Sequence, residues 1–301
     1  MMAGMKPLIN GLLLVFIIQC ALVATLYWPD TNLLEMINTE QFVPFEPYLL
    51  DEIHIGDDQG NEAVLLKAGD RWILPDVTGL AVSPELINTL LQGLIHAETG
   101  WPVASSIAAR QRFQLTDYNF QRRLTLIGKG ELLGTIYLGS SPGFRKVHAR
   151  NSTQDSIFTI TFNSYDAPGI ATAWLDKRVL QIHSPLSIST DHYSLIKQDG
   201  EWRSDEGSLP EDRELDALLL ALSSLQIESV AVDDMQRTLS IAVPEIELKV
   251  KTEQGDTTFE LFTLGEQHYI HCSDHTLFFT LSAYDFDRFA TLDSSRLNGG
   301  E

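Results

Sequence analysis

Cysteine is nearly missing from this chain: of 301 residues, only Cys20 and Cys272 carry a thiol. The first lies in an apolar run and the second far from it. They do not read as a pair, so the fold must rest on its core rather than on disulfides. Cations are scarce as well. Twenty-one Lys and Arg stand against 41 Asp and Glu, a formal net charge of −20. A body this acidic repels nucleic acid and anionic headgroups, so no nucleic-acid partner is expected. There is no low-complexity tract, and a composition 44% hydrophobic and 21% charged is that of a globular chain. No nucleophile motif and no paired metal set appears either. A hydrolase is therefore disfavoured, and the chain reads as a non-enzyme that needs no cofactor.

One stretch lacks charge altogether. Pro7 to Pro29 is 23 residues of mostly Leu, Ile, Val, Ala and Phe, enough to cross a bilayer core of about 30 Å as a helix. A cleaved signal peptide would need a shorter apolar core and small residues before the cut, where Ile18, Gln19 and Leu22 stand instead. Lys6 precedes the span, while Asp30, Glu35 and Glu40 come after it. That difference points the N-terminus to the cytoplasm and the bulk of the chain outside. Residues 1–30 are expected to form a transmembrane anchor, with 7–28 in the membrane. Residues 31–50, with Pro44 and Pro47, are expected to form a juxtamembrane linker.

Beyond residue 50 the chain says nearly the same thing twice. Leu66 to Trp72 has a counterpart in Ile196 to Trp202. The run from Pro84-Glu85 to Leu94 is echoed from Pro210-Glu211 to Leu222. Tyr137-Leu138-Gly139 is echoed by Thr263-Leu264-Gly265, and each half closes on a Tyr-Asp pair, Tyr165-Asp166 and Tyr284-Asp285. Four landmarks in one order argue for two copies of one supersecondary unit. Trp72 should then match Trp202, and Gly139 should match Gly265. The expected domains are 51–183 and 184–301, and the charge is uneven between them. Residues 51–186 hold 12 Lys/Arg and 14 Asp/Glu, whereas 187–301 hold 8 and 23.

Short β-branched or apolar runs separated by turn residues predict hairpins in each copy, with Asp57-Asp58 and Asp233-Asp234 as turn residues and Asp199-Gly200 as a type I′ pair. Ser83-Pro84-Glu85 opens a helix whose apolar face is Leu86, Leu90, Leu91 and Leu94. A second short helix is expected over Ser105–Arg112 and another near Ala167–Leu175. Four strands are expected over Phe120–Ile127, Leu132–Leu138, Phe144–Arg150 and Ile157–Phe162. In the second copy a helix over Leu209–Leu225 is succeeded by strands at Ile227–Val232, Thr238–Val243, Ile246–Lys251, Thr258–Leu264, Tyr269–Cys272 and Leu277–Leu281, then a helix over Asp285–Leu292. The class is α+β: an N-terminal transmembrane helix, then two tandem repeats of antiparallel sheet, each with one long packed helix.

Gly100-Trp101-Pro102-Val103-Ala104, Phe120-Gln121-Arg122-Arg123-Leu124, the stretch from Tyr137 to Arg150 and Tyr165-Asp166-Ala167-Pro168 together resemble the bacterial family called domain of unknown function 4340. The likeness covers roughly residues 50 to 180; the second unit matches more loosely and lacks the Arg-rich hairpin. The resemblance implies a single-pass protein of the bacterial inner membrane with its bulk in the periplasm. It also implies association with ABC transporter subunits of the gliding-motility type. No activity is established for the family, so it carries over no catalytic residue.

Among residues that carry chemistry, the basic hairpin stands out. On an extended strand Lys146, His148 and Arg150 share one face and Arg145, Val147 and Ala149 the other, with Arg122 and Arg123 on a strand of the same unit. Such a cluster suits an acidic partner or an oxyanion such as phosphate, a glycan carboxylate or a lipid headgroup. The plainer alternative is salt bridging to the acidic second unit, or a charged sheet edge. His268, His271, Cys272, Asp274 and His275 supply metal-ligand types in one window, but strand alternation splits them, so no metal is expected. Tyr165-Asp166 and Tyr284-Asp285 read as core aromatics beside helix caps, and Trp72 and Trp202 as equivalent core anchors.

Overall fold

The computed structural model describes residues 15–19, 42–43 and 47–298. Of the expected membrane span, only 15–19 fall among these, and they are helical; the remainder lies outside the described residues. Among the described residues no helix is long and apolar enough to cross a membrane. Most of the expected linker also falls outside. Phe42 and Val43 are buried in the core, with the Phe42 N–H donating to Ala97 O at 2.9 Å.

Alternation of apolar and polar residues builds the first sheet. Ile53 and Ile55 of β1 (Glu52–Asp57) and Ala63 and Leu65 of β2 (Glu62–Ala68) are fully buried. The turn between them is set by Asp57, whose Oδ1 accepts the N–H groups of Gln59 and Asn61, both at 2.9 Å. β3 (Arg71–Leu74) and β4 (Leu80–Ala81) continue the meander, and helix α1 (Pro84–Ile95) comes next. Ser83 Oγ accepts the Leu86 N–H, and Pro84 stands at the first helical position. The buried face of α1 is Ile87, Leu90 and Leu94. Leu86, expected on that face, is more than a third exposed, and Ile87 takes the buried position instead.

Beyond α1 lie α2 (Ile107–Arg112) and a small hairpin, β5 (Leu115–Thr116) with β6 (Asn119–Phe120). A second meander, β7 (Arg122–Gly128), β8 (Glu131–Leu138), β9 (Lys146–Asn151) and β10 (Phe158–Thr161), completes an antiparallel sheet of order β10-β9-β8-β7-β1-β2-β3-β4. Two 3-10 turns, Ser164–Asp166 and Ala171–Trp174, stand where one short helix was expected.

The second half traces the same path. Strands β11 (Ser187–Ser189), β12 (Ser194–Gln198) and β13 (Glu201–Ser204) lead into helix α3 (Asp212–Ser223). β14 (Ile227–Val230) and helix α4 (Asp233–Leu239) come next, then β15 (Ile246–Lys251), β16 (Asp256–Leu264), β17 (Gln267–Cys272) and β18 (Phe278–Leu281). Helices α5 (Ala283–Ala290) and α6 (Ser294–Leu297) close the described chain. The order β13-β12-β11-β15-β16-β17-β18 repeats β3-β2-β1-β7-β8-β9-β10 strand for strand. Register agrees too: Trp72 faces Lys67 across its ladder, and Trp202 faces Lys197. Gly139 comes directly after β8, and Gly265 directly after β16. Each repeat has one 12-residue helix after its first hairpins, as the landmarks required. The copies differ at their margins: the first adds β4 beyond β3, and the second adds β14 beyond β18.

One stretch departs from expectation. Thr238–Val243 is not a strand, and Asp233-Asp234 is not a turn; both Asp residues open α4, where acids suit the positive end of the helix dipole. Met235 and Leu239, four apart, pack against Phe262, Tyr269 and Phe278. Gln236 fixes the helix by donating to Ala231 O and Phe278 O and accepting the Phe278 N–H. Asp199 and Gly200 both have positive φ, 49° and 88°, as a type I′ turn requires.

The segment between the repeats is bonded to both. The Ser83 N–H donates to Trp174 O, Asp176 N–H to Ala81 O, Ile182 N–H to Leu222 O, and Ile227 N–H to Lys177 O. Trp174, fully buried, belongs to one continuous apolar cluster that includes residues of both sheets.

Candidate functional site: a basic cleft on the first sheet

The loop from Gly139 to Arg145 joins β8 to β9 and is braced from within. Ser141 Oγ donates to Gly143 O at 2.8 Å and to Lys146 O at 2.6 Å, and the His148 N–H donates to Ser140 O at 3.0 Å. Arg145 takes a left-handed φ of 51° to close the turn. After β10 the chain turns again, where Asn163 Oδ1 accepts the Tyr165 N–H and Nδ2 donates to Asp166. Between these turns lies a cleft of about 700 Å³, lined by Asp58, Gln121, Arg122, Phe144, Arg145, Lys146, Asn163 and Tyr165 among others.

The six basic candidates separate into four environments. Arg145 and Lys146 are exposed at the cleft, and among the described residues neither has a carboxylate within ion-pair distance. Arg145 lies over the Phe144 ring, 5.3 Å from its centroid. Arg122 also lines the cleft, but much of its guanidinium is engaged. Its Nε donates to Ala167 O at 2.8 Å and Nη1 to Gln121 O at 2.6 Å, with Asp58 3.9 Å away. It clamps the turn after β10 onto β7.

Arg123, the next residue, points to the other face of β7, where it pairs with Glu62 at 3.0 Å and lies over Phe120. His148 and Arg150 do share a face with Lys146, but that face is roofed rather than open. The α2–β6 segment covers it through a small core of Leu115, Tyr137 and Ile157. Beneath that roof His148 packs at a tilt against Phe113 with ring centroids 4.2 Å apart, and its Nδ1 lies 2.8 Å from Ser140 O. Arg150 is 6% exposed; its Nε donates to Leu115 O at 2.9 Å, an Nη donates to Asp117 at 3.1 Å, and its charge sits 4.5 Å from the Tyr137 centroid. Burial and the neighbouring Asp117 carboxylate hold the Tyr137 phenol above its ordinary pKa. The ion pairs of Arg122, Arg123 and Arg150 all close within the first repeat, not onto the acidic second one.

Two aromatics dominate the cleft rim: Phe144, which residue-type reasoning passed over, and Tyr165, which with Tyr284 is exposed rather than in the core as expected. Phe144 is 88% exposed and Tyr165 86%. Large aromatics held at the surface beside unpaired cations are the mark of a contact site. The only signal for Phe144 is an aromatic inside a Gly/Ser/Pro-rich loop.

The histidine window of the second repeat offers no comparable constellation. His271 lies 2.9 Å from Glu260 and 3.0 Å from His275 O, while His268 stacks on Phe286. Cys272 is buried, which pushes its thiol up to about 11 and leaves it protonated and inert. Among the described residues no three His, Cys, Asp or Glu side chains are grouped to hold a metal ion.

A family model described as Domain of unknown function (DUF4340) matches residues 72–242, more than half of the chain. The match begins at Trp72, includes the whole cleft loop and continues through α4, further into the second repeat than the likeness over 50–180. Neither the curated proteins nor the solved structures give a match.

Proposed function

This chain belongs to the DUF4340 family, and from that footing we propose that it is a recognition protein without catalysis, whose cleft receives an anionic group carried on an apolar body. Its setting, on this reading, is that of a membrane-anchored extracytoplasmic accessory protein bound to subunits of an ABC-type transport system. The setting is supported by the uncharged N-terminal run and the family resemblance.

One observation carries the site: Arg145 and Lys146, free of carboxylate partners among the described residues, flank the exposed rings of Phe144 and Tyr165 around one concavity. An Arg fork pairs with carboxylate or phosphate oxygens. The aromatic rim adds apolar contact, and such mixed surfaces supply the anchors of protein interfaces. The concave shape also favours a second reading, a small anionic ligand such as a glycan carboxylate, a phosphate or a lipid headgroup.

The test compares the full chain with its Arg145→Glu, Lys146→Glu double variant. Co-purification from membranes should recover transporter subunits with the parent and lose them with the variant, while melting stays near native, because exposed charges contribute only about 0–1 kcal/mol. Undiminished recovery would refute the cleft as the contact. For the small-ligand reading, inorganic phosphate or glucuronate should raise the melting temperature of the parent alone; no shift at millimolar ligand would dismiss it.

A further inference from the structure

The duplication makes each repeat a control for the other, and the connection into the long helix is where they part. Eleven residues separate Trp72 from Pro84, but seven separate Trp202 from Pro210. In the first repeat the longer connection forms β4. Leu80 and Ala81 pair with Leu74 and Ile73, and the Val82 N–H donates to Trp72 O at 2.9 Å. In the second repeat the chain turns back at once. The Gly207 N–H donates to Ser204 O at 2.9 Å, and the Ser204 N–H to Ser208 O at 2.8 Å. Among the described residues no strand pairs beyond it, so β13 is the sheet edge. Trp202 stands in the register of Trp72, so its N–H and C=O point outward from that edge, where the first repeat supplies Val82.

Beside the open edge lies a groove of about 560 Å³, lined by Ile182, Pro185, Trp202, Leu219 and Leu220 among others. Its counterpart in the first repeat, about 490 Å³, has Ala81 and Val82 on its wall. The missing cover is visible in the side chains: Trp72 is buried, Trp202 only partly so, and Leu220 is 60% exposed. Edge strands are commonly guarded by charge. Here Glu201 and Arg203 pair with each other at 2.8 Å on the face away from Trp202, leaving the groove side open.

We propose that β13 receives an added strand from a partner protein: a short extended segment of small apolar residues flanked by Lys or Arg. β4 defines the apolar part, since Leu80 and Val82, each 3% exposed, are what the equivalent position of the first repeat buries. The outward N–H and C=O of Trp202 provide the hydrogen bonds of strand addition, those of Ser204 being taken by Ser208 and Gly207, and the groove receives alternate side chains. The basic flanks are dictated by charge. Asp216 and Lys197 line the groove, and Asp199, Asp205 and Glu206 stand in the turns at the two ends of β13, while Glu201 and Arg203 neutralise each other. This surface is separate from the basic cleft and stands whether or not the cleft binds anything.

The probe is a fluorescent peptide with the Gly79–Val82 sequence between two pairs of lysines, titrated into the full chain in detergent micelles. Saturable binding is expected, weakened about tenfold by the double change Asp205→Lys, Glu206→Lys, because rim charges steer but do not anchor. Inserting Gly-Leu-Ala-Val after Ser208 restores the four missing residues and should abolish binding by filling the edge from within. Bound peptide should also slow hydrogen exchange at the Trp202 amide and leave the Trp72 amide unchanged. Absence of saturable binding, undiminished binding after the insertion, or unchanged exchange at Trp202 would each overturn the proposal. If the insertion prevents folding, the exchange measurement on the unaltered chain decides. Sedimentation showing β13 already paired with a second copy that excludes the peptide would overturn it in favour of self-association.

Discussion

Gly139→Ala is expected to cost about 3 kcal/mol or more of folding free energy, at or beyond the upper end of overpacking substitutions. A β-carbon at Gly139 would lie 1.9 Å from Phe113 O and 2.7 Å from Gln114 O. Those atoms belong to backbone that is itself held, since the Ser140 N–H donates to Phe113 O at 2.9 Å. The roof over His148 and Arg150 would have to lift. The matching position in the second repeat supplies the control. Gly265 has open space around it and a φ of 65°, so alanine there meets only left-handed strain, about 1 kcal/mol. Denaturant titration of the two variants should separate them clearly. Equal losses would mean that the close approach at Gly139 is not what the glycine serves.

Arg150→Met should remove about 2–4 kcal/mol, the range for losing one side of a buried charge-assisted network. The substitution keeps much of the side-chain stem but leaves Leu115 O without its donor and Tyr137 without the cation over its ring. Arg145→Met, at an exposed position a few residues earlier in the same hairpin, should change stability by less than about 0.5 kcal/mol. Thermal melts of the pair provide the measurement. A melt for Arg150→Met that overlays the parent would return Arg150 to the functional candidates.

That contrast shows what the sequence could and could not disclose. Strand alternation correctly put Lys146, His148 and Arg150 on one side of β9. It had no means of saying that residues from Ile107 to Phe120 would cover two of them, because the cover comes from a distant segment and alternation reports a face, not its neighbour. The repeat was legible because Trp72 and Trp202, like Gly139 and Gly265, sit at fixed places in one topology. Yet the two glycines serve different physics, close approach in one and a left-handed turn in the other. Helix α4 was misread because Thr238, Ile241 and Val243 have strand propensity, whereas tertiary packing of Met235 and Leu239 decides the matter. The cleft rim escaped because Phe144 and Tyr165 meet only after the β9–β10 hairpin has folded back.

The strand order also has a consequence for how quickly the chain finds its shape. Each sheet has two local meanders stitched along a long-range seam, β1 to β7 in the first repeat and β11 to β15 in the second, where β14 adds a further long-range pairing with β18. Hairpins between sequence neighbours form within microseconds. The seams bring together residues far apart, Ile55 with Leu124 and Ile188 with Val250, and the entropy of closing those long loops must be met before their contacts help. Seam closure should therefore set the folding rate of each repeat. Leu124→Ala would slow folding, whereas truncation at the marginal strand β14 would mainly hasten unfolding. Stopped-flow chevrons in which Leu124→Ala alters only the unfolding limb would place the slow step elsewhere.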